Sequence, residues 1–197
     1  MSFGLLGALF GVFAGCIMVL ANRRYLLLVG LLLQYAAVYF LVLPSLGWTI
    51  SLAKLVAGAI SLVILAFSLS GQLRGGSMGR GDLIDSPLFR GGVLLLTLTA
   101  GWGFGRTGWL QISSLSATVE IGATILLILG LLMAAFFDEP FRAGLGIMTC
   151  LSGFEVVYAG VEPSLAILAL LAGLQICLSL VIGYLSQLDV PNRGHPL

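Results

Sequence analysis

A chain of 197 residues with 59% hydrophobic and only 9% charged side chains excludes a water-soluble globule, whose charged fraction is about a quarter. Its formal net charge of +1 offers no basic surface for nucleic acid, and its length leaves no room for a soluble catalytic domain beside the apolar segments. With a mean hydropathy of +1.14, the expected fold is all-α and integral to a membrane, with the lipid bilayer as its first partner.

Apolar runs occur at 3–21, 25–44, 49–70, 87–105, 117–137, 143–161 and 164–187. Most have the roughly 20 residues needed to cross the hydrocarbon core, and none alternates with period two, so helices are expected rather than barrel strands. This predicts about seven transmembrane helices. The first run has no basic residue before it and is followed by Arg23 and Arg24, so it reads as a retained span rather than a signal peptide. The long connection at 71–90 reads as a flexible cytoplasmic loop. It has glycines but no Gly-Lys-Ser/Thr, so it is no phosphate loop, and its Arg-Gly-Asp triplet at 80–82 reads as chance.

The fourth run, 87–105, is short and carries Gly91, Gly92, Gly101 and Gly103. Charge favours counting it. With it, Arg23, Arg24, Arg74, Arg80, Arg90, Arg142 and Arg193 share one side and Arg106 stands alone on the other. Without it, Arg142 and Arg193 change sides and Arg106 joins the basic group, a weaker bias. The positive-inside rule then sets the N-terminus outside and the C-terminus inside, in a bacterial or archaeal cytoplasmic membrane. Trp48, Trp102 and Trp109 would line the outer surface as an aromatic belt.

A faint internal likeness links 21–70 with 136–186 at an offset of about 115 residues. Each stretch passes from a charged turn into a glycine-punctuated helix, a proline bend and a long helix with a central glycine, Gly58 or Gly173. The expected organisation is a three-helix unit at 1–70, a linker helix at 87–105, a second three-helix unit at 117–187 and a polar tail at 188–197. Orientation would be the same in both units, as in parallel-repeat membrane proteins.

In lipid the informative side chains are the ionisable ones, because an isolated charge there is costly. Lys54 in the third run and Glu155 in the sixth lie about 8 Å and 9 Å below the same outer surface, counting 1.5 Å per residue. At one depth they can pair, or form a station for protons. Alternatively Lys54 snorkels and Glu155 bonds a neighbouring helix. Glu120 starts the fifth run, where a helix dipole favours a carboxylate. Gln34 and Gln175 fall near mid-membrane, where amides bond across helices, with Tyr35 and Tyr39 beside Gln34. The glycines read as close-packing points. Cys16, Cys150 and Cys177 read as small buried hydrophobes, and the lone His195 lies in the tail. No nucleophile with a base, metal cluster or cofactor motif is present, so no catalytic site is expected in this chain alone.

Three stretches, ANRRYLLLVGLLLQYAAVYF, ISLAKLVAGAISLVILAFS and EPFRAGLGIMTCLSGFEVV, resemble the E subunit of hydrogenase-4-type complexes. That subunit is itself similar to the K subunit of complex I and the C subunit of Mrp antiporters. Lys54 falls where the family carries a lysine in its third helix. Arg142, Gly146 and Glu155 match its Arg-x-x-x-Gly helix start followed by a glutamate. Glu155 comes one turn later than in the family, and Gln34 stands near the complex I subunit's membrane glutamate. The resemblance implies a non-redox membrane-arm subunit beside an antiporter-like partner, supporting proton or sodium translocation, with Lys54, Glu155, Glu120 and Gln34 as candidate path residues. The rival expectations are a purely structural or assembly subunit and a free-standing small transporter.

Overall fold

The computed structural model describes residues 2–21, 23–70, 86–107, 115–137, 139–162 and 164–188. Most of the 71–90 loop with its Arg-Gly-Asp triplet, together with Trp109, Arg193, His195 and the tail from 189, lies outside the described residues. Among the described residues six helices form: α1 (Ser2–Leu20), α2 (Arg24–Leu69), α3 (Pro87–Arg106), α4 (Ala117–Phe136), α5 (Pro140–Val161) and α6 (Leu165–Leu188). All but α3 are long and apolar enough to cross a membrane, and α3 has the shorter apolar stretch Leu88–Phe104. The exterior is apolar too, with Leu88, Phe67 and Leu170 among its most exposed side chains, a surface that suits lipid rather than water.

In place of seven separate helices, the second and third expected runs join in the 46-residue α2. That element is not straight. Gly47 has φ 73° and ψ 175°, a conformation essentially reserved for glycine. Pro44, three residues earlier, removes a backbone donor and loosens the same turn. In an unbroken helix residues 35 and 58 would stand about 34 Å apart. Instead a Cβ on Gly58 would lie 2.7 Å from the Tyr35 ring. The chain folds back at Gly47, and α2 consists of a first arm, 24–46, and a second arm, 48–69.

Places where helices touch reveal their directions. Antiparallel neighbours meet at residue pairs whose numbers have a constant total, and parallel neighbours at pairs with a constant difference. Gly7 meets Leu41, Gly11 meets Ala37 and Gly30 meets Met18, each pair totalling 48, so α1 and the first arm are antiparallel. Gly130 with Cys150, Gly146 with Ala134 and Gly153 with Leu127 each total 280, so α4 and α5 are antiparallel as well. Gly101 with Ile125 and Phe89 with Phe136 set α3 antiparallel to α4.

Three other pairings are parallel with a difference of 115. Gly4 meets Val119 and Gly11 meets Leu126 between α1 and α4. Arg24 meets Glu139 and Gln34 meets Thr149 between the first arm and α5. Ser68 meets Gly183 between the second arm and α6. The offset of the sequence likeness thus recurs as a spatial register. Moving both partners of the first hairpin along by 115 predicts a total of 278, two short of the 280 found between α4 and α5.

One end of the bundle, where α2 and α5 begin, is tied by arginines. Arg24 Nη2 pairs with Glu139 at 2.9 Å, and Arg142 Nε lies 3.5 Å from the same carboxylate. Arg142 Nη2 also donates to the Ala21 carbonyl at 2.6 Å, satisfying an acceptor at the C-terminal end of α1. The guanidinium groups of Arg142 and Arg90 lie 5.0 Å and 6.0 Å from the Phe137 ring centre. The ends of five helices, α1 to α5, are gathered there. At the opposite end lie Gly47, Trp48 and Trp102, both tryptophans exposed.

The glycine expectation holds where backbones touch and fails elsewhere. A Cβ on Gly130 would lie 2.2 Å from the Cys150 backbone nitrogen, whereas Gly91, Gly92, Gly103 and Gly173 have nothing within 4 Å. Gly130→Val should therefore force α4 from α5 at a cost of about 3 kcal/mol or more. Gly173→Ala should be neutral or slightly stabilising, since an open helix position gains from alanine. Thermal unfolding of the two variants in detergent checks this contrast.

Candidate functional site

The fold-back at Gly47 and the turn after α5 set the site. Seven residues separate Lys54 from Gly47, and seven separate Glu155 from the α5 C-cap Glu162, about 10 Å of helix in each case. The two side chains therefore arrive at one level from opposite directions along the chain. They form an ion pair between Lys54 Nζ and Glu155 Oε2. Lys54 keeps 10% of its side-chain exposure and Glu155 only 1%, so the lysine is turned inward and does not snorkel.

Gln175 of α6 completes the contact. Its Oε1 accepts from Lys54 Nζ at 3.1 Å, so the ammonium touches partners on two helices. Tyr35 of the first arm lies against Gln175, although its hydroxyl makes no hydrogen bond of good geometry. Gly58 has no side chain where the Tyr35 ring packs on the second arm. A lysine here gathers both arms of α2 with α5 and α6.

The other expected residues lie apart from the pair. Gln34 accepts from the Thr149 hydroxyl at 2.9 Å, joining the first arm to α5 deeper in the bundle. Glu120 is buried on α4, and its Oε1 has no hydrogen-bond partner among the described residues. It contributes to no ion pair that the described residues show. Of the four candidates, the structure brings together Lys54 and Glu155 and leaves Glu120 and Gln34 outside their contact. Tyr39, expected to bond beside Gln34, instead packs edge-on against Phe40 and Trp48.

The cysteines depart from their expected burial. Cys16 and Cys150 are half-buried and Cys177 is exposed, all three as free thiols. Cys177 follows Gln175 by two positions, which turns it away from the face that carries the amide. Among the described residues no three His, Cys, Asp or Glu side chains are grouped to hold a metal ion.

A cavity of about 130 Å³ adjoins the pair, walled by the second arm, the end of the first arm and α6, with Lys54 and Glu155 among its lining residues. The rest of its lining is aliphatic, including Val42, Ile50, Leu168 and Ala172. Such a setting has two chemical consequences. Each charge is stable only while the other is present. A proton shift from the ammonium to the carboxylate would turn the ion pair into a neutral pair with no other atom displaced.

No protein-family model, curated protein sequence or solved structure matches this chain.

Removing one partner of the pair strands a buried charge. Lys54→Met and Glu155→Gln should each lower stability by about 3–5 kcal/mol. The double variant Lys54→Met with Glu155→Gln should lose less than either single change. A double-mutant cycle by thermal unfolding in detergent measures this, and additive losses would show that the contact carries no energy.

Proposed function

We propose that this chain is a non-redox membrane subunit of an energy-converting complex, of the hydrogenase-like or complex I-like kind, and supports proton or sodium movement. The observation that carries the reading is the buried Lys54–Glu155 pair with Gln175 beside it. Ionisable groups inside a membrane bundle are expensive, and they mark ion pathways by default. The sequence resemblance at Lys54, Arg142, Gly146 and Glu155 supports the same reading.

In this reading the two arms of α2 and the helix α3 all cross the bilayer, making seven crossings in a cytoplasmic membrane. The N-terminus is outside and the Arg24 end faces the cytoplasm. Directions within the bundle support α3 as a crossing, because α4 starts at the end opposite to that where α2 finishes. Twenty residues in α3 give about 30 Å of helix, enough for the hydrocarbon core. The two three-helix units are read as a duplication, supported by the shared register of 115. A partner subunit is supported by the open glycines Gly91, Gly92 and Gly103 of α3, where another helix can approach closely. An antiporter-like subunit is the proposed neighbour.

Two measurements test this. Mild-detergent purification of the tagged native protein, followed by mass spectrometry, should recover antiporter-like and iron–sulfur or hydrogenase-like subunits. Recovery of the chain by itself would favour a free-standing transporter. In the assembled complex, the double variant Lys54→Met with Glu155→Gln, which strands no buried charge, should abolish most coupled ion movement while leaving assembly intact. Loss of assembly instead would favour a structural role, and full pumping would contradict a place on the path.

A further inference from the structure

Of the residues that line the cavity beside the ion pair, Ala53 on the second arm and Leu165 and Ala169 on α6 are exposed. At the level of the pair and deeper in the bundle, four buried polar atoms have no hydrogen-bond partner of good geometry among the described residues: Gln175 Nε2 and the Tyr35 hydroxyl, whose side chains lie against each other, Ser61 Oγ and Gln34 Nε2. Helix rise orders them. Measured from Gly47, Lys54 lies about 10 Å deep, Gly58 with the Tyr35 ring about 17 Å, and Ser61 about 21 Å. An unmet buried polar atom costs about 1–3 kcal/mol. Four such atoms in a bundle that also holds an ion pair and a cavity call for a partner that donates and accepts in any direction. Water does so, and a cavity of about 130 Å³ has room for it.

Toward the Arg24 end the character changes. Leu27, Leu31, Leu65, Leu69, Leu145 and Met148 are completely buried and pack in one apolar cluster. These six side chains carry no hydroxyl, amide or charge that would hydrate a proton.

We infer that the cavity is a one-sided water inlet. It admits water from the Gly47 end to the Lys54–Glu155 pair and on to Gln34, and the leucine cluster seals it from the Arg24 end. The inlet itself stands on the cavity and the unmet polar atoms; its use as an ion path rests on the functional reading above. A proton that reaches Glu155 by this route cannot continue straight through the chain. It leaves sideways, to a neighbouring subunit, or returns.

Cysteine accessibility tests the inlet directly. The full chain, with Cys16, Cys150 and Cys177 replaced by alanine, carries one probe at a time in sealed membrane vesicles. The reagent is the permanently charged trimethylammonium-ethyl methanethiosulfonate. Ala53→Cys and Ala172→Cys report on the inlet, with Ala169→Cys as a second probe where either misfolds. Leu145→Cys reports on the seal, and Val63→Cys on the lipid-facing surface. The inlet thiols should react at least about tenfold faster than the other two, because only a wetted thiol ionises to the reactive form. They should do so only with reagent on the Gly47 side. Reaction no faster than that of Val63→Cys overturns the inlet, and reaction from both sides overturns the seal. One-sided labelling combined with normal ion movement in Lys54→Met would uphold the inlet and overturn the functional reading, so the two failures are distinct.

Discussion

A lone ammonium held about 10 Å of helix in from the end of an apolar bundle is unstable unless an opposite charge meets it there. Lys54 is met by Glu155 and by the amide of Gln175, and most of the architecture on that side follows from this requirement. The chain must reverse at Gly47 so that the second arm runs back alongside the first. It must reverse again after α5 so that α6 can bring Gln175 to the same level. A glycine at position 58 admits the Tyr35 ring and closes the arms on each other. The pair is thus held by the whole set of helices around it, and it also pins them in one register.

At the opposite end a second electrostatic device works differently. Glu139 serves Arg24 and Arg142, and Arg142 reaches across to the end of α1. These groups lie at helix ends, where unsatisfied carbonyls accumulate and guanidinium hydrogen bonds are most useful. Between the two ends most of the packing is apolar and depends on glycines that let backbones meet, as at Gly130 and Gly146. Lipid supplies little hydrophobic drive for association, so such close contacts and the buried polar bonds determine which helices are neighbours.

Much of this was legible from residues alone. Apolar runs located the helices to within a few positions, because the length needed to cross hydrocarbon is fixed. Counting residues inward put Lys54 and Glu155 at one depth, because helix rise is constant. The offset of about 115 was visible as a likeness and reappears in contacts such as Gln34 with Thr149. What could not be read is lateral order. In a helix with apolar residues on every face, hydropathy does not say which face meets which neighbour. Hence the partnership of Gln175 with Lys54, the cation–π stack on Phe137 and the reach of Arg142 to Ala21 had no sequence signal beyond a polar residue in an apolar run. Nor did the joining of two runs into α2, which depends on a glycine conformation that only coordinates reveal. Glu120 shows the converse: its placement invited a role beside Lys54, and the fold puts it on a helix that faces elsewhere.

The ion pair requires that Glu155 be ionised within the bundle because Lys54 is. Infrared difference spectroscopy of the membrane-embedded protein, with Glu155→Gln as the assignment control, reads this state directly. An ion pair predicts a carboxylate band that belongs to Glu155, replaced by a protonated-carboxyl band in Lys54→Met. A protonated Glu155 in the native protein, or a carboxylate that persists without Lys54, would contradict it.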